Sequence, residues 1–221
     1  MKKIIRKISS VLWYSYYTFL QKPYLCLFLR KNRFDIKGKV RKVQFDISGG
    51  GNSFALKESS MLDDVTIRVR GNNNRIIVGE KCYLGYGCSI WAEGNNITVQ
   101  IGNKCSFTHN DQICAQEDNS SITIGEDCMF SHHINIRTSD SHLIYSTETN
   151  ERINFPKDVV VGRHVWIAPN SIIMKGVTIG DGCIVGSNTI VTKNIPSHSL
   201  AVGMPAKVVK QNVSWSRIKL F

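Results

Sequence analysis

The stretch VGRHVWIAPNSIIMKGVTIGDGCIVGSNTIVTKNIP, Val161 to Pro196, decides the fold. It divides without a slip into the hexads VGRHVW, IAPNSI, IMKGVT, IGDGCI, VGSNTI and VTKNIP. Each hexad opens on Val or Ile, and its fifth place holds Val, Ser, Cys, Thr or Ile. Six is not the 3.6-residue period of an amphipathic helix. Six extended residues span about 20 Å, so three hexads make one triangular turn. The first and fifth places then point inward, and Gly or a small residue at the second place allows the bend at each corner. Successive turns stack as parallel strands about 4.8 Å apart. The expected fold is an all-β parallel β-helix, a solenoid in which like residues lie on like.

Earlier copies are longer. Val78-Gly79-Glu80-Lys81-Cys82, Ile101-Gly102-Asn103-Lys104-Cys105 and Ile124-Gly125-Glu126-Asp127-Cys128 recur every 23 residues, whereas Val161 and Ile179 are 18 apart. The five extra residues fall in AEGNN (92–96) and QEDNS (116–120), with RGNNN (70–74) as an earlier copy. Gly, Asn, Asp and Ser suit tight corners, so these bulges are expected in one column along an edge. ISGGGNSF (47–54) and LKESSMLDDVTI (56–67) read as opening turns. The hexads fail over 138–158, inside IRTSDSHLIYSTETNERINFP (136–156). Such an irregular stretch in a repeat protein maps to a loop, often on the binding face.

Composition sets further bounds. The 221 residues carry 28 Lys and Arg against 17 Asp and Glu, a formal +11. This excess favours anionic partners or serves as solubilising charge. No nucleic-acid-binding motif accompanies it, so nucleic acid is not an expected partner. Seven cysteines without a CxxC pair exclude zinc-ribbon and thioredoxin readings. Cys82, Cys105 and Cys128 recur at one repeat position and read as one buried column, which fits a reducing, cytoplasmic setting. Residues 1–42 hold 12 Lys or Arg and one acid, Asp35. Within them, Val11–Leu20 is too short and too polar to span a membrane, and no signal-peptide cleavage site follows. Residues 1–34 read either as a helix lying in a membrane interface or as one packing on the protein. The organisation expected is an N-terminal helical segment (1–42), the β-helix (43–200) with its loop, and a tail (201–221).

The hexads, the loop with His142, and the closing AVGMPAKVVK (201–210) resemble the hexapeptide-repeat acyltransferases. Within them the chain is most similar to galactoside and maltose acetyltransferases and bacterial polysaccharide O-acetyltransferases. The resemblance implies a left-handed coil, a homotrimer with active sites between subunits, and acetyl-CoA as donor. The expected acceptor is a sugar hydroxyl of a surface polysaccharide or its lipid-linked precursor. The rival readings are an antibiotic or amino-sugar N-acetyltransferase and a non-catalytic glycan-binding scaffold.

A sugar hydroxyl is a poor nucleophile near neutral pH, and histidine suits the base that takes its proton. The resemblance makes His142 that base. Asn135 matches an asparagine beside the acceptor, and Asp140 is positioned to orient the acceptor or the imidazole. His109 and His132, 23 apart in FTHN and FSHH, should stack on adjacent turns and line the acceptor groove or the plain surface. Trp166 takes the place of a tryptophan near the substrate channel. The Ser187 backbone, Lys193 and Lys207 are implied contacts to CoA, and Lys210 adds a further cation for its phosphates. Pro169 lacks the N–H that family members use on the thioester carbonyl, so no oxyanion donor is named. Related γ-type carbonic anhydrases bind zinc through histidines at a spacing resembling H-x4-H. None occurs here, so no metal is expected.

Overall fold

The hexad register is the strand register. In the computed structural model, which describes residues 31–220, the chain winds around three sheets of parallel strands, joined at one end by an antiparallel strand. The first face runs from Arg33–Ile36 to Thr178–Ile179, the second from Lys39–Arg41 to Ser199–Val202, and the third from Gln44–Ser48 to Ile190–Val191. Pairing keeps the sequence spacings: Val99 faces Ile122, Ile122 faces Val159 and Val161 faces Ile179. The first and fifth places of all six hexads lie between 0% and 4% exposed, which is the inward orientation expected of them.

The corners work differently from the expectation. The residue that bends the chain is at the fourth place, where His164, Asn170, Gly176, Gly182 and Asn188 take positive φ. Asn and Gly tolerate that region best. The second-place glycine is needed for another reason. A Cβ on Gly125 would stand 2.6 Å from the carbonyl carbon of Gly162 on the next coil. The close stacking of backbones, not the bend, excludes a side chain there.

Hydrogen bonds along the columns hold the stack. Cys82, Cys105 and Cys128 each donate a thiol to the carbonyl of a glycine one coil on, Gly102, Gly125 and Gly162, at 3.0–3.1 Å. These cysteines are buried core filler, as expected. The bulges form the predicted column between the third and first faces. There Asn95 Oδ1 accepts from the Asn72 N–H at 2.9 Å and Asp118 Oδ1 from the Asn95 N–H at 2.8 Å.

Both ends differ from the expected boundaries. The solenoid starts at Arg33 rather than residue 43, because Phe34 turns inward against Phe45 (5.5 Å between ring centroids), which in turn meets Phe54 (5.3 Å). Residues 33–36 and 39–41 are therefore strands, not helix. The helix expected over 1–34 otherwise lies outside the described residues. At the other end, Ser199–Val202 pairs with Ile184–Val185 and then antiparallel with Lys207–Gln211, through a turn with a cis Met204–Pro205 bond. Among the described residues, no helix is long and apolar enough to cross a membrane.

One core position is a carboxylate. Asp111 occupies the inward column between Cys88 and Ile134 and is 2% exposed. Its Oδ1 accepts the Ile134 N–H at 2.9 Å. Burial pushes its carboxyl up from 3.8 to about 7. Between those values the folded chain holds a proton that the unfolded chain releases, so stability falls as pH rises through this window and levels off above it. The slope is at most about 1.4 kcal/mol per pH unit. Asp111→Asn keeps the acceptor oxygen and removes the titration. Thermal unfolding at pH 5 and pH 8 should show the variant losing less stability than the parent on going to pH 8.

Candidate active site

The loop leaves the solenoid at the bulge column, from the third face after Asn135–Arg137, and rejoins the first face at Val159. Its base is closed by buried Thr138, whose carbonyl accepts the Lys157 N–H at 2.9 Å and whose hydroxyl accepts the Gln116 N–H at 2.8 Å. Beyond the base the chain folds into a small hairpin, with Tyr145 bridged antiparallel to Arg152. Ser139 donates to Glu117, and Arg152 pairs with the same carboxylate at 2.5 Å. A recess of about 470 Å³ lies beside this base, lined by Glu117, Asp118, Arg152, Phe155 and Pro156.

Asn154 organises the segment around His142. Its Oδ1 accepts the Ile144 N–H at 2.9 Å, and its Nδ2 donates to the His142 carbonyl at 2.8 Å and to Asp140 Oδ2 at 3.0 Å. Lys175 on the next coil donates to Asp140 Oδ2 at 2.6 Å and to the Asn154 carbonyl at 3.0 Å. Lys175 first, then Asn154, holds the Asp140 carboxyl below the ordinary carboxylate range. Asp140 is thus a clamp between loop and coil, and its contacts are with Lys175 and Asn154 rather than with an imidazole. His142 is held at its backbone while its exposed ring has no hydrogen-bond partner among the described residues. Such a ring is available to a substrate.

Asn135 stands on the third face, donating to Gln112 at 2.9 Å and accepting from Arg137 at 2.8 Å. His109 and His132 do stack, with centroids 4.7 Å apart and planes 14° from parallel. They sit with His133 at the corner between the second and third faces, one face away from the loop's corner. Burial first, then the charges of His109 and His133, holds the His132 ring below the usual histidine range.

Trp166 lies on the second face, its ring 6.2 Å from Trp215 of the same chain's tail. Its Nε1 is buried and has no hydrogen-bond partner among the described residues. Trp215 itself stacks on His164 at 4.2 Å and donates to the His164 carbonyl at 2.7 Å, while Arg217 ties the tail to Asp127 at 3.1 Å. The Ala168 N–H is bonded to Val185 and the Asn170 N–H to His132, so both flanks of Pro169 are committed to the ladder. Ser187 is exposed at the second-to-third corner. The tail turn reaches that region, with the Ala206 N–H bonded to the Ile190 carbonyl, which brings Lys207 beside it. Lys193 is exposed after Ile190–Val191, and Lys210 lies on the tail strand.

Residues 158–193 match the family described as bacterial transferase hexapeptide (six repeats). The solved polysialic acid O-acetyltransferase OatWY is similar at 33% identity, over 82% of this chain and 92% of its own, with a TM-score of 0.63. The chain belongs to the hexapeptide-repeat acyltransferase family. The polySia-specific acetyltransferase NeuO has the same fold, at a TM-score of 0.81 and 29% identity over 86% of this chain and 87% of its own. The solenoid is accordingly a left-handed parallel β-helix. In sequence, a polysialic acid O-acetyltransferase of Escherichia coli O1:K1 / APEC is 39% identical over 82 residues, 37% of this chain and 27% of that protein. A probable macrolide acetyltransferase of Lysinibacillus sphaericus is 42% identical over 73 residues, 33% of this chain and 41% of that protein. The chain thus spans between about a quarter and two fifths of the length of these curated relatives.

Lys175 and Asn154 had no signal in the sequence, since one lies inside a regular hexad and the other in an aperiodic loop. Lys175→Met should loosen the loop without unfolding the coil. Hydrogen exchange at the Ile144 and Ile153 amides should quicken, by on the order of fivefold for a pair worth about 1 kcal/mol. Because the Asp140 carboxyl is held below its ordinary 3.8, the clamp is intact above that pH and is lost as pH falls beneath it.

Proposed function

We propose that the protein is an acetyl-CoA-dependent O-acetyltransferase whose acceptor is a sugar hydroxyl in an anionic surface polysaccharide or its lipid-linked precursor. The observation that carries this reading is the exposed His142 ring, without a hydrogen-bond partner among the described residues, on a loop whose backbone is fixed by Asn154 and, through Asp140, by Lys175. The similarity to polysialic acid O-acetyltransferases over most of the described coil supports it. The net charge of +11 suits an acid-bearing polymer.

In the reaction, His142 takes the proton as the acceptor oxygen attacks the thioester carbonyl. The new C–O bond forms, the C–S bond breaks, and the proton passes to the departing CoA sulfur. No enzyme nucleophile is required. The six described cysteines suit none, being buried, with burial and then the Asp111 charge pushing the Cys88 thiol up to about 12. Asn135 supports the acceptor side. The Ser187 backbone, Lys193, Lys207 and Lys210 supply donors and cations for the pantetheine and phosphates of CoA. A homotrimer, with the loop of one subunit facing a neighbour, gives cover to the exposed loop side chains Leu143, Tyr145 and Ile153. A cytoplasmic location, peripheral on the membrane through the basic residues that precede the first strand at Arg33, fits both donor and a lipid-linked acceptor.

His142→Ala should lower turnover by on the order of 10²–10⁴-fold while CoA affinity, read by calorimetry, stays unchanged. Retained turnover would remove His142 from the mechanism. The similarity to a macrolide acetyltransferase favours an antibiotic acceptor as the second reading. A panel of acidic and neutral capsular polysaccharides, lipid-linked glycans, macrolides and amino sugars separates the two. Absence of any CoA binding would leave the glycan-binding scaffold.

A further inference from the structure

We propose that His109, His132 and His133 form a binding site for one d-block divalent cation, with Zn²⁺ and Ni²⁺ as probes. One nitrogen from each ring lies within 4.8 Å of the others. The two Nδ1 atoms of His132 and His133 are 2.9 Å apart. With metal–nitrogen bonds of ~2.1 Å, two neighbouring ligand nitrogens stand roughly 3.0–3.4 Å apart, so this pair is already at ligand spacing. The His133 ring stands edge-on to both others, at 83° and 85°. His109 offers the third nitrogen, within 4.8 Å of the other two, and its ring, stacked at 14° on His132, turns out of that stack to share the ion.

The backbone beneath is fixed. His109 and His132 are direct partners on adjacent strands. The His133 N–H is bonded to the His109 carbonyl at 3.2 Å and the Asn170 N–H to the His132 carbonyl at 2.9 Å. His133 holds the corner with φ of 55°. Its Nε2 lies 3.3 Å from the Asn110 amide, which with its oxygen turned inward accepts the N–H of a ring ligated through Nδ1. The donor set decides the class of ion. Three imidazoles without a carboxylate select zinc, nickel or copper over magnesium or calcium. The expectation of no metal rested on the missing H-x4-H spacing, and these ligands come from a different pattern, one coil repeat plus a neighbour. The ion would tie two coils together, so the site is structural and separate from His142.

The test uses tag-free, chelator-treated full-length protein. Calorimetry with Zn²⁺ and with Ni²⁺ should show one ion per chain, with no heat from Mg²⁺, and saturating Zn²⁺ should raise Tm. His109→Ala, His132→Ala and His133→Ala should each weaken binding at least tenfold, the loss that even an outer partner of a metal ligand produces. His142→Ala and His198→Ala should bind as the parent does. Where an alanine variant fails to fold, His132→Gln reads the same loss. No stoichiometric uptake, or uptake that survives His132→Gln or His132→Ala, would overturn the proposal. So would an increase in acceptor KM in these variants with metal affinity unchanged, which makes the trio an acceptor surface.

Discussion

Backbone stacked on backbone, one coil apart, is the constraint from which the rest of the molecule follows. At Gly125 and Gly162 the approach is too close for a Cβ, and the carbonyls there accept the thiols of Cys105 and Cys128. A side chain at either glycine would push two coils apart and break ladder bonds on all three faces. The same contact copies every corner onto the next. A residue type that suits one coil is therefore repeated above it, and columns of cysteine, asparagine and aliphatic residues result. The Phe107–Phe130 stack, with centroids at 4.2 Å, is one more product of this translation.

Such a scaffold has little interior freedom, so its variable chemistry collects at corners. The bulges between the third and first faces lengthen the turn without disturbing pairing. The His142 loop is the largest insertion at that same corner. Its order does not come from a core. It comes from Thr138 at the base, from Asn154, and from the charges of Lys175, Asp140, Arg152 and Glu117. Polar contacts with short reach leave the His142 ring exposed, because an apolar anchor would draw the loop inward.

The sequence made the coil legible because its rule is local and periodic. Every first and fifth place from Val161 to Ile195 is buried, and the 23-residue spacing located the bulge column and the His109–His132 stack. What it did not show was long-range or conformational. The fourth-place bend at His164 or Asn170 is invisible in composition, since only the backbone distinguishes it from the second place. Phe34 was read as the end of the basic, aromatic N-terminal segment, yet it sits in a strand and packs inward on Phe45. Lys175 meets Asp140 across 35 residues, and Trp215 meets His164 across 51. Neither pair shares a period.

The tail carries the last step of this logic. Trp166 was expected near the substrate channel, and its half-buried ring stands 6.2 Å from Trp215 of its own chain's tail. Arg217 fixes that tail with bonds to Asp127, Ser106 and the carbonyls of Lys104 and Cys128. A strand edge at the end of a solenoid offers unpaired backbone to other chains. Here the antiparallel strand Lys207–Gln211 closes the edge of Ser199–Val202, and the residues after it run back over earlier coils. The strand that ends the stack carries exposed Lys207 and Lys210, so the segment that stops the solenoid also presents two cations at its end.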